Sequence, residues 1–294
     1  MAKVSVVAVV FISRFYESFS ASRNQSRRIV CCVYNIEPQL HAILYCPAMC
    51  GRYVSPDEAA VERMWHIGRS SPNPFAELTP FGRRYNVTPT TKVAVIQRDR
   101  DKEQLVLTEA RWGLIPHWWK EKTLPRFTIN SRSEEAKTKP MWRGPYRNWR
   151  CLIPAEGWYE WPEKEGIDST TGEITEVGQP HFIFREDRQP FCFAGLMSLW
   201  TPPTSEASIL SCAILTQAAA PSVAPVHDRM PVVLPEALFE RWTDPALSDA
   251  DQVSAMIREH AQLEFDHHAV SKRINSGKVD GEELIAPLRN EPSV

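Results

Sequence analysis

The sequence predicts an α+β fold, and three observations carry that prediction. Apolar, β-rich runs cluster between residues 93 and 216 without the strand–helix alternation of a parallel sheet. Helix signals stand outside that region, over about 55–66 and 235–262. The 294 residues are 43% hydrophobic and 24% charged, the balance of a globular chain able to bury one large core or two modest ones.

Taken in order, residues 1–48 stand apart. A short apolar run over 4–12 follows Lys3 and leads into a Ser/Arg-rich, acid-poor stretch with Arg14, Arg23, Arg27 and Arg28. No small-residue cleavage site marks it as a secretory signal, and it is expected to be a disordered extension outside the domain. Ser55-Pro56-Asp57-Glu58 supplies an N-cap, a proline at the first helical position and a capping-box Glu, so a helix runs to about His66. Residues 69–82 read as a loop. Strands over 93–97 and 105–112 flank the polar 99–103 as a hairpin. Further strands are expected over 151–153, 181–184, 191–196 and 209–216, with an exposed hairpin insertion at 163–179. Helices follow over 235–242 and 248–262, the second capped by Ser248. No internal repeat is visible.

No apolar run reaches the roughly 18–20 residues that a membrane-spanning helix requires. The net charge of −2 argues against coating a polyanion with the whole surface. Positive charge is instead local. Residues 111–150 hold ten Lys/Arg against three Glu, a net +7 that leaves −9 for the rest of the chain. Five of the ten tryptophans share that stretch: Trp112, Trp118, Trp119, Trp142 and Trp149. Cations interleaved with aromatics suit a single-stranded nucleic acid groove, in which phosphates meet charge and unpaired bases meet flat faces. The alternative is a solvated basic face over core tryptophans. Seven cysteines, odd in number and without a C-x-x-C pair, support neither a disulfide framework nor a structural zinc site. A reducing, intracellular compartment is expected.

Met49-Cys50-Gly51-Arg52 is the sharpest local feature. Trimming Met49 would leave Cys50 as a 1,2-aminothiol, with an amine of ordinary pKa about 7.7–8.0 beside a thiol near 8.5. Such an amine attacks an aldehyde, and the neighbouring sulfur closes a five-membered thiazolidine. An internal cysteine cannot do this. Read alone, Cys50 is equally a buried structural cysteine.

Six motifs then occur in order: Cys50-Gly51-Arg52-Tyr53, Tyr85-Asn86-Val87-Thr88-Pro89-Thr90, Trp112-Gly113-Leu114-Ile115-Pro116-His117-Trp118, Ile129-Asn130-Ser131-Arg132, Gly157-Trp158-Tyr159-Glu160-Trp161 and Val226-His227-Asp228-Arg229-Met230-Pro231. Together they resemble the SRAP family, the SOS-response-associated peptidases or abasic-site processing proteins, over about residues 49–288, with 289–294 as a tail. The resemblance implies a single domain with a mixed, largely antiparallel sheet or barrel core flanked by helices. It implies a monomer that needs neither cofactor nor metal, and that traps the ring-opened aldehyde of an abasic site in single-stranded DNA.

In the resemblance Cys50 matches the nucleophile. Asn130 matches the residue that holds the Cys amine and the sugar, and Glu160 and His227 match the acid–base pair. Arg52, Arg132 and Arg229 would clamp phosphates, Trp118 and Trp119 would stack on bases, and Asn86, Pro89 and Thr216 would line the DNA path. Glu156 falls where no role is carried over. Chemistry supports the roles independently, since opening the hemiacetal and dehydrating a carbinolamine both need proton transfer. A histidine titrates near neutrality, and the apolar neighbours Tyr159 and Trp161 would raise the Glu160 pKa. The plainer readings are a core His paired with Asp228 and a rim Glu paired with an Arg.

An attached extension would deny Cys50 its free amine. Translation from Met49 is therefore the first expectation, autocleavage the second and transit-peptide removal the third. Competing functions are a thiol peptidase with Cys50 as nucleophile and His227 as base, and a non-catalytic reader of single strands.

Overall fold

The β-rich middle of the chain sorts its apolar side chains to two sides with a period of two. In the computed structural model, residues 50–69, 80–99, 101–162, 178–203, 205, 207–259 and 264–288 are described, all within the unit Cys46–Val294. The expected extension, most of the expected 163–179 insertion and the 289–294 tail lie outside the described residues.

The elements are β1 (Arg52–Ser55), α1 (Glu58–Trp65), β2 (Arg84–Val87), β3 (Lys92–Asp99), β4 (Gln104–Trp112), β5 (Asn130–Arg132), α2 (Ser133–Ala136), α3 (Arg143–Asn148), β6 (Arg150–Ala155), β7 (Gly157–Glu160), β8 (His181–Arg185), β9 (Phe191–Trp200), β10 (Ile209–Ala218), β11 (Arg229–Pro231), β12 (Val233–Leu234), α4 (Phe239–Thr243), α5 (Ala250–Glu259) and β13 (Phe265–Ala269). Three 3-10 turns cover Glu236–Leu238, Lys272–Asn275 and Glu282–Leu284.

The expected β3–β4 hairpin pairs antiparallel from Lys92↔Arg111 to Asp99↔Gln104. β4 lies parallel to β10, β10 antiparallel to β9, β9 to β6, and β6 returns to β3 through Ile96↔Leu152. These pairings close a five-stranded barrel, antiparallel except at β4–β10. β5 and β11 continue along β10, β5 parallel and β11 antiparallel. A second, five-stranded sheet runs β13-β8-β7-β1-β2. The α+β class and the largely antiparallel barrel core both hold.

Alternate residues feed different cores. Leu152, Ala194, Leu196, Ala213 and Leu215 join Trp65, Phe239, Trp242, Val253 and Met256 from the helices. Their neighbours Cys151, Ile153, Phe193, Cys212 and Ile214 join Cys50 and, from the second sheet, Tyr53, Trp158 and Ile183. Val54, Tyr159, Phe182 and Phe184 face a third cluster with Val270, Ile274 and Leu284. Both faces of most strands are covered, which is why the runs read as continuously apolar.

Two caps differ from expectation. Ser55 ends β1, and the side chain that caps α1 is Asp57, whose Oδ1 accepts from the Ala60 N–H at 2.6 Å. Glu58 instead accepts from the Phe81 N–H at 3.0 Å and pairs with Arg69 at 2.9 Å. At α5 the cap is Asp249 rather than Ser248, since its Oδ1 accepts from the N–H groups of Asp251 and Gln252 at 2.8 and 3.3 Å. The helix expected over 235–242 is a 3-10 turn running into α4.

Candidate active site at the head of strand β1

Cys50 precedes β1, is fully buried, and takes a left-handed φ of 46°, a strained conformation for a residue with a side chain. The antiparallel pairing Arg52↔Tyr159 carries the end of β7 alongside it. Glu160, 110 positions away, thereby accepts a hydrogen bond from the Cys50 backbone nitrogen at 2.8 Å on Oε1. Glu160 is itself 3% exposed. Burial pushes its carboxyl up to about 8; the bond from Cys50 opposes that rise and the Asp228 charge adds to it. Burial, and then the Glu160 charge, likewise drive the Cys50 thiol well above its ordinary value.

β5 runs parallel to β10 with Asn130 opposite Ile214, which places Asn130 at the site. Its Nδ2 donates to the Cys50 carbonyl at 3.4 Å. His227 closes the turn before β11, with its side chain 14% exposed. Its Nδ1 accepts from the Arg229 N–H at 2.9 Å and lies 3.1 Å from Asp228 Oδ1. The first contact suits an Nδ1 without a proton, whereas the second suits an Nδ1 that carries one, in the Nδ1–H tautomer or the imidazolium. Cys50, Asn130 and Glu160 are thus joined directly. His227 sits next to Asp228, whose charge acts on Glu160.

The eight further residues singled out in the sequence divide by their surroundings. Arg52 donates to Asn86 Oδ1 and to the Ile274 carbonyl, both at 2.9 Å. Buried Asn86 donates in turn to the carbonyls of Ser276 and Val279 at 3.0 and 2.7 Å, so this pair ties β1 and β2 to the C-terminal turns. Pro89 is half-buried in the turn after β2. Thr216 is fully buried, and Arg229 donates to its carbonyl at 2.8 Å. Arg132 is exposed at the end of β5. Trp118 is 46% exposed. Trp119 is half-buried, donates to the Thr123 carbonyl at 2.9 Å, and sets its ring 6.1 Å from that of Trp118, tilted by 48°.

Residues 111–150 divide between core, paired and exposed positions. Trp112 and Trp142 belong to the cores. Arg150 is buried, held by the carbonyls of Tyr146, Arg147, Trp242, Asp244 and Leu247, and burial lowers its pKa to about 10. Lys137 and Lys139 pair with Asp251 and Glu135. The loop over 117–127 instead keeps Trp118, Lys120, Lys122, Leu124, Arg126 and Phe127 exposed. Sequence reasoning passed over Phe127, whose 74% exposure no local signal betrays.

Among the described residues no group of three or more His, Cys, Asp or Glu is placed to hold a metal. Cys50, Cys151, Cys192 and Cys212 are free thiols. No described helix is long and apolar enough to cross a membrane.

A barrel backed by a second sheet, with a cysteine nitrogen held against a buried glutamic acid at their junction, defines the class. The chain belongs to the SOS response associated peptidase (SRAP) family, whose sequence pattern it matches over residues 49–277. It is similar to the abasic site processing protein YedK of Escherichia coli (strain K12), 35% identical over 211 residues that cover 71% of this chain and 86% of that one. To the abasic site processing protein YoqW of Bacillus subtilis (strain 168) it is 31% identical over 201 residues, covering 68% and 84%. To the abasic site processing protein HMCES of Gallus gallus it is 30% identical over 216 residues, covering 66% and 61%. Among solved structures, a protein from Bacteroides thetaiotaomicron matches with a TM-score of 0.63 over 81% of this chain and 100% of that one. At 19% identity that is a likeness of fold alone. A phage-related protein of Bordetella bronchiseptica matches with a TM-score of 0.55 at 29% identity, over 76% and 95%.

Proposed function

We propose that this chain processes abasic sites in single-stranded DNA, with Cys50, freed of Met49, trapping the sugar aldehyde as a thiazolidine. The observation that carries the reading is the 2.8 Å contact between the Cys50 nitrogen and a Glu160 carboxyl whose pKa lies at about 8. The curated relatives, named abasic site processing proteins, support the abasic-site part of this reading.

The geometry suits each step. In a chain that begins at Cys50 the nitrogen is an amine, and an ammonium in contact with the carboxylate shares its proton with it. The neutral amine adds to the aldehyde carbon. Glutamic acid protonates the resulting carbinolamine hydroxyl, which leaves as water and gives the imine. The thiol, kept protonated by burial, adds its sulfur to the imine carbon while its proton passes by way of the Glu160 carboxylate to nitrogen. One C–N and one C–S bond form, and one water is released. His227, with a proton on Nε2, is the donor that opens the sugar ring. Asn130 fixes the Cys50 peptide. Before the sulfur closes, the imine also acidifies the neighbouring sugar protons, which gives a weak lyase side reaction. Arg132 and the 117–127 loop supply the cations and flat faces that a single strand needs.

Protein beginning at Cys50 should form a heat-stable adduct with a single-stranded oligonucleotide carrying an abasic site, resolved on a denaturing gel. Cys50→Ser keeps the amine but closes the ring poorly, and should leave only a labile imine. An equally stable adduct from the serine variant would remove the thiazolidine from the account.

A further inference from the structure

β13 forms an edge of the second sheet and pairs antiparallel with β8, Ala269 opposite His181 and His267 opposite Ile183. His181 and His267 are therefore diagonal neighbours on one face, where side chains of adjacent strands can meet. His268 alternates to the other face, and its Nε2 donates to the Ile285 carbonyl at 2.7 Å. The His181 and His267 rings lie 5.2 Å apart, tilted by 56°, with Nδ1 facing Nδ1 at 3.1 Å. Both residues are half-buried.

Two Nδ1 atoms at that distance hold one proton between them, because two N–H groups would point at each other. In the neutral pair one ring donates and the other accepts with its lone pair. Burial, and then His267 and His268, push the His181 pKa down, which keeps that imidazole neutral and able to ligate at neutral pH. Replacing the shared proton by a metal ion, with the proton released to solvent, turns the contact into a chelate. With metal–nitrogen bonds of about 2.0–2.1 Å, nitrogens 3.1 Å apart subtend about 95–100° at the ion, between the octahedral and tetrahedral angles. Glu160 stands opposite His181 in the β7–β8 pairing, but its carboxyl is engaged by the Cys50 nitrogen.

We propose that His181 and His267 form a two-nitrogen site for a divalent transition-metal ion of the zinc, nickel and copper group, with water in the remaining positions. Bound there, the ion cross-links the edge strand β13 to β8, one strand away from Glu160. Imidazole suits these ions, whereas magnesium and calcium take oxygen donors and are excluded by the same pair. The site stands without any assumption about the reaction at Cys50.

Calorimetric titration of Zn²⁺ into the chain that begins at Met49 and keeps it tests the site, because a free Cys50 aminothiol would itself chelate the ion. The parent should show one saturable site at about pH 7.5 and lose it at about pH 5.5, where protons occupy both imidazoles. Mg²⁺ should give no heat of binding. His181→Gln and His267→Gln should each abolish the saturable isotherm, and with it the rise in melting temperature that Zn²⁺ gives the parent. Ni²⁺, added below stoichiometry as a paramagnetic probe, should broaden the ring-nitrogen NMR signals of His181 and His267 before those of the other histidines. That measurement uses the parent alone, so it decides the matter even where a glutamine variant fails to fold. Saturable Zn²⁺ binding that survives in either folded variant overturns the site. So does Ni²⁺ broadening centred on another histidine, or a parent that binds no Zn²⁺ at neutral pH.

Discussion

At Cys50 the fold presents nitrogen, not sulfur, to an acid. Burial, and then the Glu160 charge, raise the thiol, which disfavours its thiolate form. Glu160→Gln and Asn130→Ala should each slow adduct formation by about 10²–10⁴-fold while leaving thermal melting near the parent value, since they remove proton transfer and positioning. The rate should fall at low pH, where amine and carboxyl are both protonated, and again at high pH, where both have lost their protons. Glu160→Gln should abolish the alkaline limb, and an unaltered profile would strip Glu160 of its role as the acid. Cys50 is legible as an aminothiol because Met-Cys-Gly is a local pattern. The Glu160 partnership is not, because the two residues are 110 positions apart and only the β1–β7 register brings them together.

At the scale of elements, the proposed DNA contacts fall in two places, the exposed 117–127 loop and the end of β5. Trp118→Ala should cost about 1–3 kcal/mol of affinity for undamaged single strands and leave the salt slope nearly unchanged, as loss of one stacked base does. Arg132→Ala should instead flatten the slope by about 0.7. A fluorescence-anisotropy series over salt reads both, and a flat response in the parent would return the loop to a solvated face. The long strands β3, β4, β9 and β10 are visible in the sequence as apolar β-rich runs. β1, β2, β5, β7 and β11 are only three or four residues long and carry polar positions, and β12 is only two residues long, so partners distant in sequence define them. Both helix caps fall on aspartate instead of the expected serine because the two lie only one or two residues apart, and the entry path of the chain decides between them. The basic count over 111–150 overstates the free charge, since Arg150 is buried against carbonyls and Lys137 and Lys139 are paired.

Across the whole molecule, two buried ionisable side chains bear on stability. Arg150 satisfies carbonyls of α3 and of the α4–α5 connection at once, so Arg150→Met should lower stability by about 3 kcal/mol or more through acceptors left without donors. In the chain that retains Met49, Glu160 holds its proton up to about pH 8 when folded but only to about 4.3 when unfolded. Its contribution to stability is therefore complete below about pH 4.3 and is lost as pH rises through 8. Denaturant unfolding across that window should show stability falling with pH, and Glu160→Gln should flatten the fall.

Intact-mass spectrometry of protein beginning at Cys50, mixed with an abasic single-stranded oligonucleotide and no reductant, tests the central claim most directly. The account predicts one adduct whose mass is the sum of the two components less one water, unchanged by later borohydride because a thiazolidine has no C=N bond to reduce. The same chain with Met49 retained should give none. An adduct that survives only after borohydride, or one that forms equally with Met49 in place, would contradict it.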